Sequence, residues 1–243
     1  MKKQARHKKK QRCKAAVRIL VTLLILISGL LVYRSIRGGD RTLLTVFHSE
    51  NQVADTSDAW NLILVNRDHC IPANYQVELT ELSNGEKVDS RIYPELQQMF
   101  DDARATGLAL FVREGYRTKK EQQQIMDDRI KEYENLGCSR KEAKKKAEEY
   151  VAIPGTSEHQ LGLSVDINAE SSGASQDAVY EWLDENAYKY GFIKRYPADK
   201  TDITGIDNEP WHYRYVGYEA AKEMKEQNLC LEEYLKKGKS SED

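Results

Sequence analysis

The sequence predicts an α+β fold: a single domain with a mainly antiparallel sheet flanked by helices, preceded by an N-terminal membrane anchor. Three observations carry this. Leu163 to Asn168 and Trp211 to Val216 alternate apolar and polar residues, the period-two signature of a half-buried strand. Longer segments repeat their apolar residues at helical spacing behind helix-start signals. Strands and helices do not follow the strict βαβ rhythm of a parallel sheet.

The chain of 243 residues opens on a basic stretch from Lys2 through Lys14, and from Ile19 to Tyr33 no residue is charged. A bilayer span takes about 20 apolar residues; Ala15, Ala16 and Val17 extend the run if Arg18 snorkels. Residues 1–14 are expected as a cytoplasmic tail and 15–34 as a transmembrane anchor. A cleaved signal peptide is the rival reading, although Tyr33-Arg34-Ser35-Ile36-Arg37 is a poor cleavage site. The expected location is the cell membrane, single-pass, with the remainder on the extracellular face. Residues 1–40 carry +10 and the whole chain −2, which leaves −12 for the remainder. An acidic exported part argues against a nucleic-acid partner.

Gly38-Gly39-Asp40 opens a polar stretch, so 35–59 is expected as a linker, 60–238 as the domain and 239–243 as a tail. Leu62 to Val65 is a short apolar run. Pro94-Glu95 opens a helix with Leu96, Met99, Phe100 and Ala103 on one face, stopped by Gly107. Leu108 to Val112 reads as a buried strand leading to Gly115-Tyr116-Arg117. Thr118 caps a helix through Ile125 and Ile130, and Ser139 with Glu142 makes a capping box for another, highly charged one. Ser175 begins an amphipathic helix through Val179, Trp182 and Leu183 that Gly191 stops, and a final helix is expected from Tyr218 to Leu235. Cys13, Cys70, Cys138 and Cys230 show no C-x-x-C spacing, so the domain rests on its hydrophobic core rather than on a disulfide framework.

The chemistry concentrates in two segments, Ser157 to Asp166 and Glu209 to Tyr215. His159 precedes the first alternating strand and Asp166 stands on its polar face, with Gly162 between them to let the chain turn. His212 shares one face of the second strand with Arg214, and Glu209 precedes it by three residues beside Pro210. In an extended chain Glu209 and His212 can approach one metal together. Two imidazoles and a carboxylate with a second carboxylate in reserve form the inventory of a zinc hydrolase: three ligands, an open position for water, and a base beside it. Taken singly, His159 also reads as a surface histidine and His212 as a core imidazole in an aromatic strand.

These motifs resemble the VanY-type D-alanyl-D-alanine carboxypeptidases, zinc peptidases that trim peptidoglycan stem peptides. The resemblance runs from Leu62 to Leu235 and rests on Gly115-Tyr116-Arg117-Thr118 with Gln122, on Gly155 to Gly162, on Gly191 to Pro197, and on Thr204-Gly205-Ile206 leading into Glu209 to Gly217. It implies Zn2+ on His159, Asp166 and His212, Glu209 as catalytic base, and Arg117, Gln122 and Ser157 holding the substrate's terminal carboxylate or the oxyanion. An exopeptidase must recognise a free carboxylate, and an arginine fork does so bidentately. Gln122 and Ser157 read equally as an ordinary helix-surface and loop residue. Glu114 departs from the family, which more often has Ser before Gly-Tyr-Arg. The expected reaction is removal of a terminal D-alanine by metal-activated water. The rivals are an LD-carboxypeptidase acting on the tetrapeptide stem and a catalytically silent wall-binding module.

Overall fold

The computed structural model of the chain describes residues 52–53, 60–170 and 175–240. Two small pairs come first: β1 (Gln52–Val53) beside β2 (His69–Cys70), parallel, and the antiparallel hairpin of β3 (Leu79–Glu81) and β4 (Lys87–Asp89). Helix α1 (Tyr93–Ala105) has Pro94 in its first turn, where no backbone N–H is missed. It buries Leu96, Met99, Phe100 and Ala103, the face that the helical spacing predicts. Strand β5 (Leu110–Glu114) follows, then a hairpin of α2 (Lys119–Asn135) and α3 (Arg140–Tyr150). Both hairpin helices start on the capping boxes read from Thr118-Glu121 and Ser139-Glu142.

A single 3₁₀ turn (Glu158–Leu161) leads into β6 (Ser164–Ala169), α4 (Gln176–Asn186), β7 (Phe192–Lys194), the short α5 (Thr201–Thr204) and β8 (His212–Tyr215). The central sheet has the order β5-β6-β8-β7, with every neighbouring pair antiparallel. One face carries Val165, Ile167, Tyr213 and Tyr215 into the main core, with Leu96 and Met99 of α1 and Val179 and Leu183 of α4. Ile63 and Val65 join that core from the apolar run ahead of β2, without entering the sheet.

The final helix is two helices. The segment expected to run unbroken from Tyr218 to Leu235 breaks into α6 (Tyr218–Gln227) and α7 (Leu231–Ser240). Asn228 takes a left-handed conformation at φ 51, one of the few settings a non-glycine side chain tolerates as a C-cap. The break lets α7 turn back, burying Leu231 beside Met224. Cys70, Cys138 and Cys230 are free thiols.

Residues 15–34, where the membrane anchor was expected, lie outside the described residues. Among the described residues no helix is long and apolar enough to cross a membrane. The longest of them, α2, has 17 residues and a charged sequence, against the roughly 20 apolar residues of a span. This finding overturns the single-pass placement in the cell membrane.

Candidate metal centre

His159 owes its position to a turn that only glycine closes. Gly162 sits at φ 74 after the 3₁₀ turn, and a Cβ there would stand 3.0 Å from the Asp89 amide nitrogen. The chain then enters β6 with Ser164 and Asp166 on the face turned towards His159. Register supplies the rest: Asp166 pairs directly with His212 on β8 and with Glu114 on β5, past a bulge after Val112. Glu209 reaches the same place by a turn, not by the extended chain expected from the sequence. The His212 amide donates to the Glu209 carbonyl at 3.3 Å, and the Glu209 amide to the Tyr196 carbonyl at 3.0 Å.

One ligand atom from each of His159, Asp166 and His212 lies within 4.8 Å of the others. Asp166 Oδ1 stands 3.5 Å from His159 Nε2 and 3.2 Å from His212 Nδ1, and Glu209 Oε2 is 3.5 Å from the same His212 Nδ1. Tautomers follow from the far side of each ring. His159 Nδ1 lies 2.8 Å from the Gly115 carbonyl, an acceptor only, so it carries the proton and Nε2 presents a lone pair. His212 Nε2 faces Glu158 Oε2 at 3.7 Å, which leaves Nδ1 for the centre.

The set fits a divalent cation on two counts. Asp166 Oδ1 is buried and has no hydrogen-bond partner, an orphan that burial normally forbids. The donors are two imidazoles and one carboxylate with a second beside them, a borderline-soft set suited to zinc. Electrostatics separates the two carboxyls. Burial alone would raise Asp166, but the His159 and His212 rings hold it far below the usual carboxylate range. Burial pushes Glu209 up, only partly offset by His212. Asp166 thus keeps its charge while Glu209 takes up a proton more readily, the division that separates a ligand from a base. His212 is raised to about 9: its burial is outweighed by Asp166 and Glu158.

Arg117, Gln122 and Ser157 line the same cleft as these four, with Trp211 and Tyr196. Arg117 Nε donates to Glu114 Oε1 at 3.0 Å and Nη1 to Gln122 Oε1 at 2.6 Å. Gln122, 1 % exposed, also donates through Nε2 to the Ala152 carbonyl at 2.8 Å. Its polar atoms therefore serve Arg117 and the main chain. Ser157 is buried just ahead of the 3₁₀ turn. Sequence reading missed the charges behind the centre: Glu158, Arg195 and Arg214, all buried. Arg214 was legible as the residue sharing His212's strand face. Glu158 and Arg195 carried no periodic signal.

Comparison with known proteins agrees with this geometry. The family profile described as D-alanyl-D-alanine carboxypeptidase VanY matches residues 85–218. A D-alanyl-D-alanine carboxypeptidase of Enterococcus faecalis is 60% identical over 176 residues, covering 72% of this chain and 66% of the relative. The chain thus spans just under two thirds of that relative's length. Two crystal structures, each 60% identical, superpose closely. A mutant of the vancomycin resistance D,D-pentapeptidase VanY from a VanB-type cassette, in complex with Zn(II), has a TM-score of 0.70 over 72% of this chain and 99% of its own. VanYB in complex with D-alanine-D-alanine has 0.71 over 73% and 98%. With the family profile matched over residues 85–218 and His159, Asp166, His212 and Glu209 converging in one cleft, the chain belongs to the VanY family of D-alanyl-D-alanine carboxypeptidases.

Proposed function

We propose that the chain is a zinc-dependent carboxypeptidase that removes the terminal D-alanine from peptidoglycan stem peptides ending in D-Ala-D-Ala. The observation that carries this is the convergence of His159, Asp166 and His212 with Glu209 beside them. His159 Nε2, His212 Nδ1 and Asp166 Oδ1 would hold the ion. Zinc bound there supplies Lewis acidity, making water more acidic and favouring negative charge on the scissile carbonyl oxygen.

The chain's own residues do the remainder. Glu209 takes a proton from the attacking water and delivers it to the departing D-alanine amine, which its raised affinity for a proton suits. Arg117 meets the negative charge of the chain end or of the oxyanion with its Nη2, since Glu114 and Gln122 occupy Nε and Nη1. Gln122 acts through Arg117, fixing its plane, and Ser157 adds a hydroxyl to the cleft wall. Water attacks directly, without a covalent intermediate.

Incubation of the zinc-loaded chain with muropeptides ending in D-Ala-D-Ala, and separately with tetrapeptides ending in one D-alanine, tests the reading by mass spectrometry. Loss of one alanine from the pentapeptide alone, abolished by chelator, is the expected result. Trimming of the tetrapeptide moves the assignment to LD-carboxypeptidase. No loss from either with zinc bound leaves a binding module.

A further inference from the structure

Behind the metal-facing atoms lies a second set of charges that the reaction does not use. The side chains of Glu158, Arg195 and Arg214 are 0% exposed, and Glu232 of α7 is 14% exposed. Two guanidiniums and two carboxylates balance formally, which buried charge requires. Glu158 Oε1 accepts from Arg195 Nε at 2.8 Å and lies 2.9 Å from Arg214 Nη1. Its other oxygen accepts from Ser164 Oγ at 3.1 Å and faces His212 Nε2 at 3.7 Å. Arg195 turns its opposite edge to Glu232 as a fork, Nη1 to Oε2 at 2.9 Å and Nη2 to Oε1 at 2.6 Å. Arg214 is tied by Nη2 to the Asn61 and Ile63 carbonyls at 3.2 and 2.9 Å, and by Nε to the Tyr215 carbonyl at 2.9 Å.

An ion pair serving stability alone has no need of an oxygen aimed at the far nitrogen of a metal ligand. His212 Nε2 has no hydrogen-bond partner, and Glu158 Oε2 is the carboxylate oxygen that faces it. A carboxylate there keeps the proton on Nε2 and so leaves Nδ1 as donor, a task that outer carboxylates perform for ligating imidazoles. Arg195 and Arg214 in turn hold Glu158 from two directions.

We propose that Glu158 is the positioning residue for His212, and that the chain Glu158–Arg195–Glu232 makes docking of the C-terminal helix α7 a determinant of zinc affinity. The proposal rests on the zinc reading above and concerns which residues set the strength and geometry of binding. It couples the cleft to an element that contributes nothing to its lining.

Chelator competition on the full chain reads zinc affinity, and absorption of the Co(II)-substituted chain reads ligand geometry, both independent of turnover. Glu158→Gln keeps size and shape but removes the charge; zinc affinity is expected to fall about 10–100-fold, with an altered cobalt spectrum. Glu232→Gln, near the surface, is expected to weaken zinc in the same sense by a smaller factor. Phe100→Ala, a destabilising change in the main core on α1, away from these charges and from α7, keeps wild-type affinity and spectrum. Wild-type affinity and spectrum in a folded Glu158→Gln overturn the proposal. Should that variant fail to fold, unchanged affinity in Glu232→Gln overturns it. Absence of zinc binding by the wild type sinks the metal reading itself and the proposal with it.

Discussion

One sheet supports two interiors built on opposite principles. The face carrying Val165, Ile167 and Tyr213 packs against α1 and α4 with apolar side chains. The opposite face carries Asp166, half-buried, with His212 and Arg214, both buried, yet charge and hydrogen bonding hold it. Apolar contact is non-directional, so its losses scale with the area and volume removed. A buried charge is instead satisfied by a particular partner at a particular angle, and losing that partner leaves an uncompensated ion. The apolar face should therefore degrade by degrees and the polar face by steps.

The sharpest break in that contrast is expected at Glu209, which belongs to the polar side but keeps a side chain 23% exposed. Water can accommodate a change of charge there. Glu209→Gln is expected to lower kcat by about 10²–10⁴-fold, the range of general acid–base catalysis, with the melting temperature little changed. Turnover assays paired with thermal melts check it.

Conservative substitutions come next. Leu183→Met on the apolar face should cost less than about 1.5 kcal/mol, because volume is nearly kept. Arg195→Lys is equally conservative by charge, but an ammonium cannot reach Glu158 and both oxygens of Glu232 at once. Breaking a buried pair costs about 3–5 kcal/mol, and most of that should appear in urea unfolding. Equal losses in the two variants would erase the distinction between the faces.

Acid sharpens the comparison further. Burial alone would raise Glu158, but Arg195 and Arg214 hold it far below its ordinary 4.5. A folded-state value below the unfolded one means the stabilisation is complete above about pH 4.5 and drains away as pH falls towards the folded value. Unfolding free energies of the chelated chain between pH 7 and 3 should fall along that limb. Leu183→Met should keep the slope and Glu158→Gln should flatten it.

The smallest effect is expected at Glu114. Its carboxylate sits against Arg117 and offsets part of the charge available to an anionic chain end. Glu114→Gln keeps an acceptor for Nε and removes the competing charge, so KM should drop about twofold, as befits a partly exposed pair. Steady-state kinetics on a D-Ala-D-Ala peptide would show it.

Legibility in the sequence divides along the same line. Alternation exposed β6 and β8, helical spacing exposed the buried face of α1, and capping boxes fixed the starts of α2 and α3, because each signal lies within a few residues. The convergence of His159, Asp166 and His212, with Glu209 beside them, was legible because a metal centre would restrict residue type as tightly as spacing. Glu158, Arg195 and Glu232 were not: their partnership spans 37 residues on either side of Arg195, and nothing local distinguishes them from solvated charges. The break at Asn228 was missed for a different reason. A single left-handed residue interrupts an apolar pattern that continues on both sides.

A last consequence follows from one main-chain bond and one bond from a side chain to the main chain. The Arg117 amide donates to the His159 carbonyl at 3.1 Å, while His159 Nδ1 donates to the Gly115 carbonyl at 2.8 Å. A Cβ on Gly115 would collide with the Lys87 carbonyl, so that segment cannot easily be rebuilt with another residue. The segments carrying the arginine and the first imidazole are thus tied twice, once through the backbone and once through the imidazole ring. In mechanical terms they form a caliper with a locked jaw: a substrate would be gauged against a span that these two ties set.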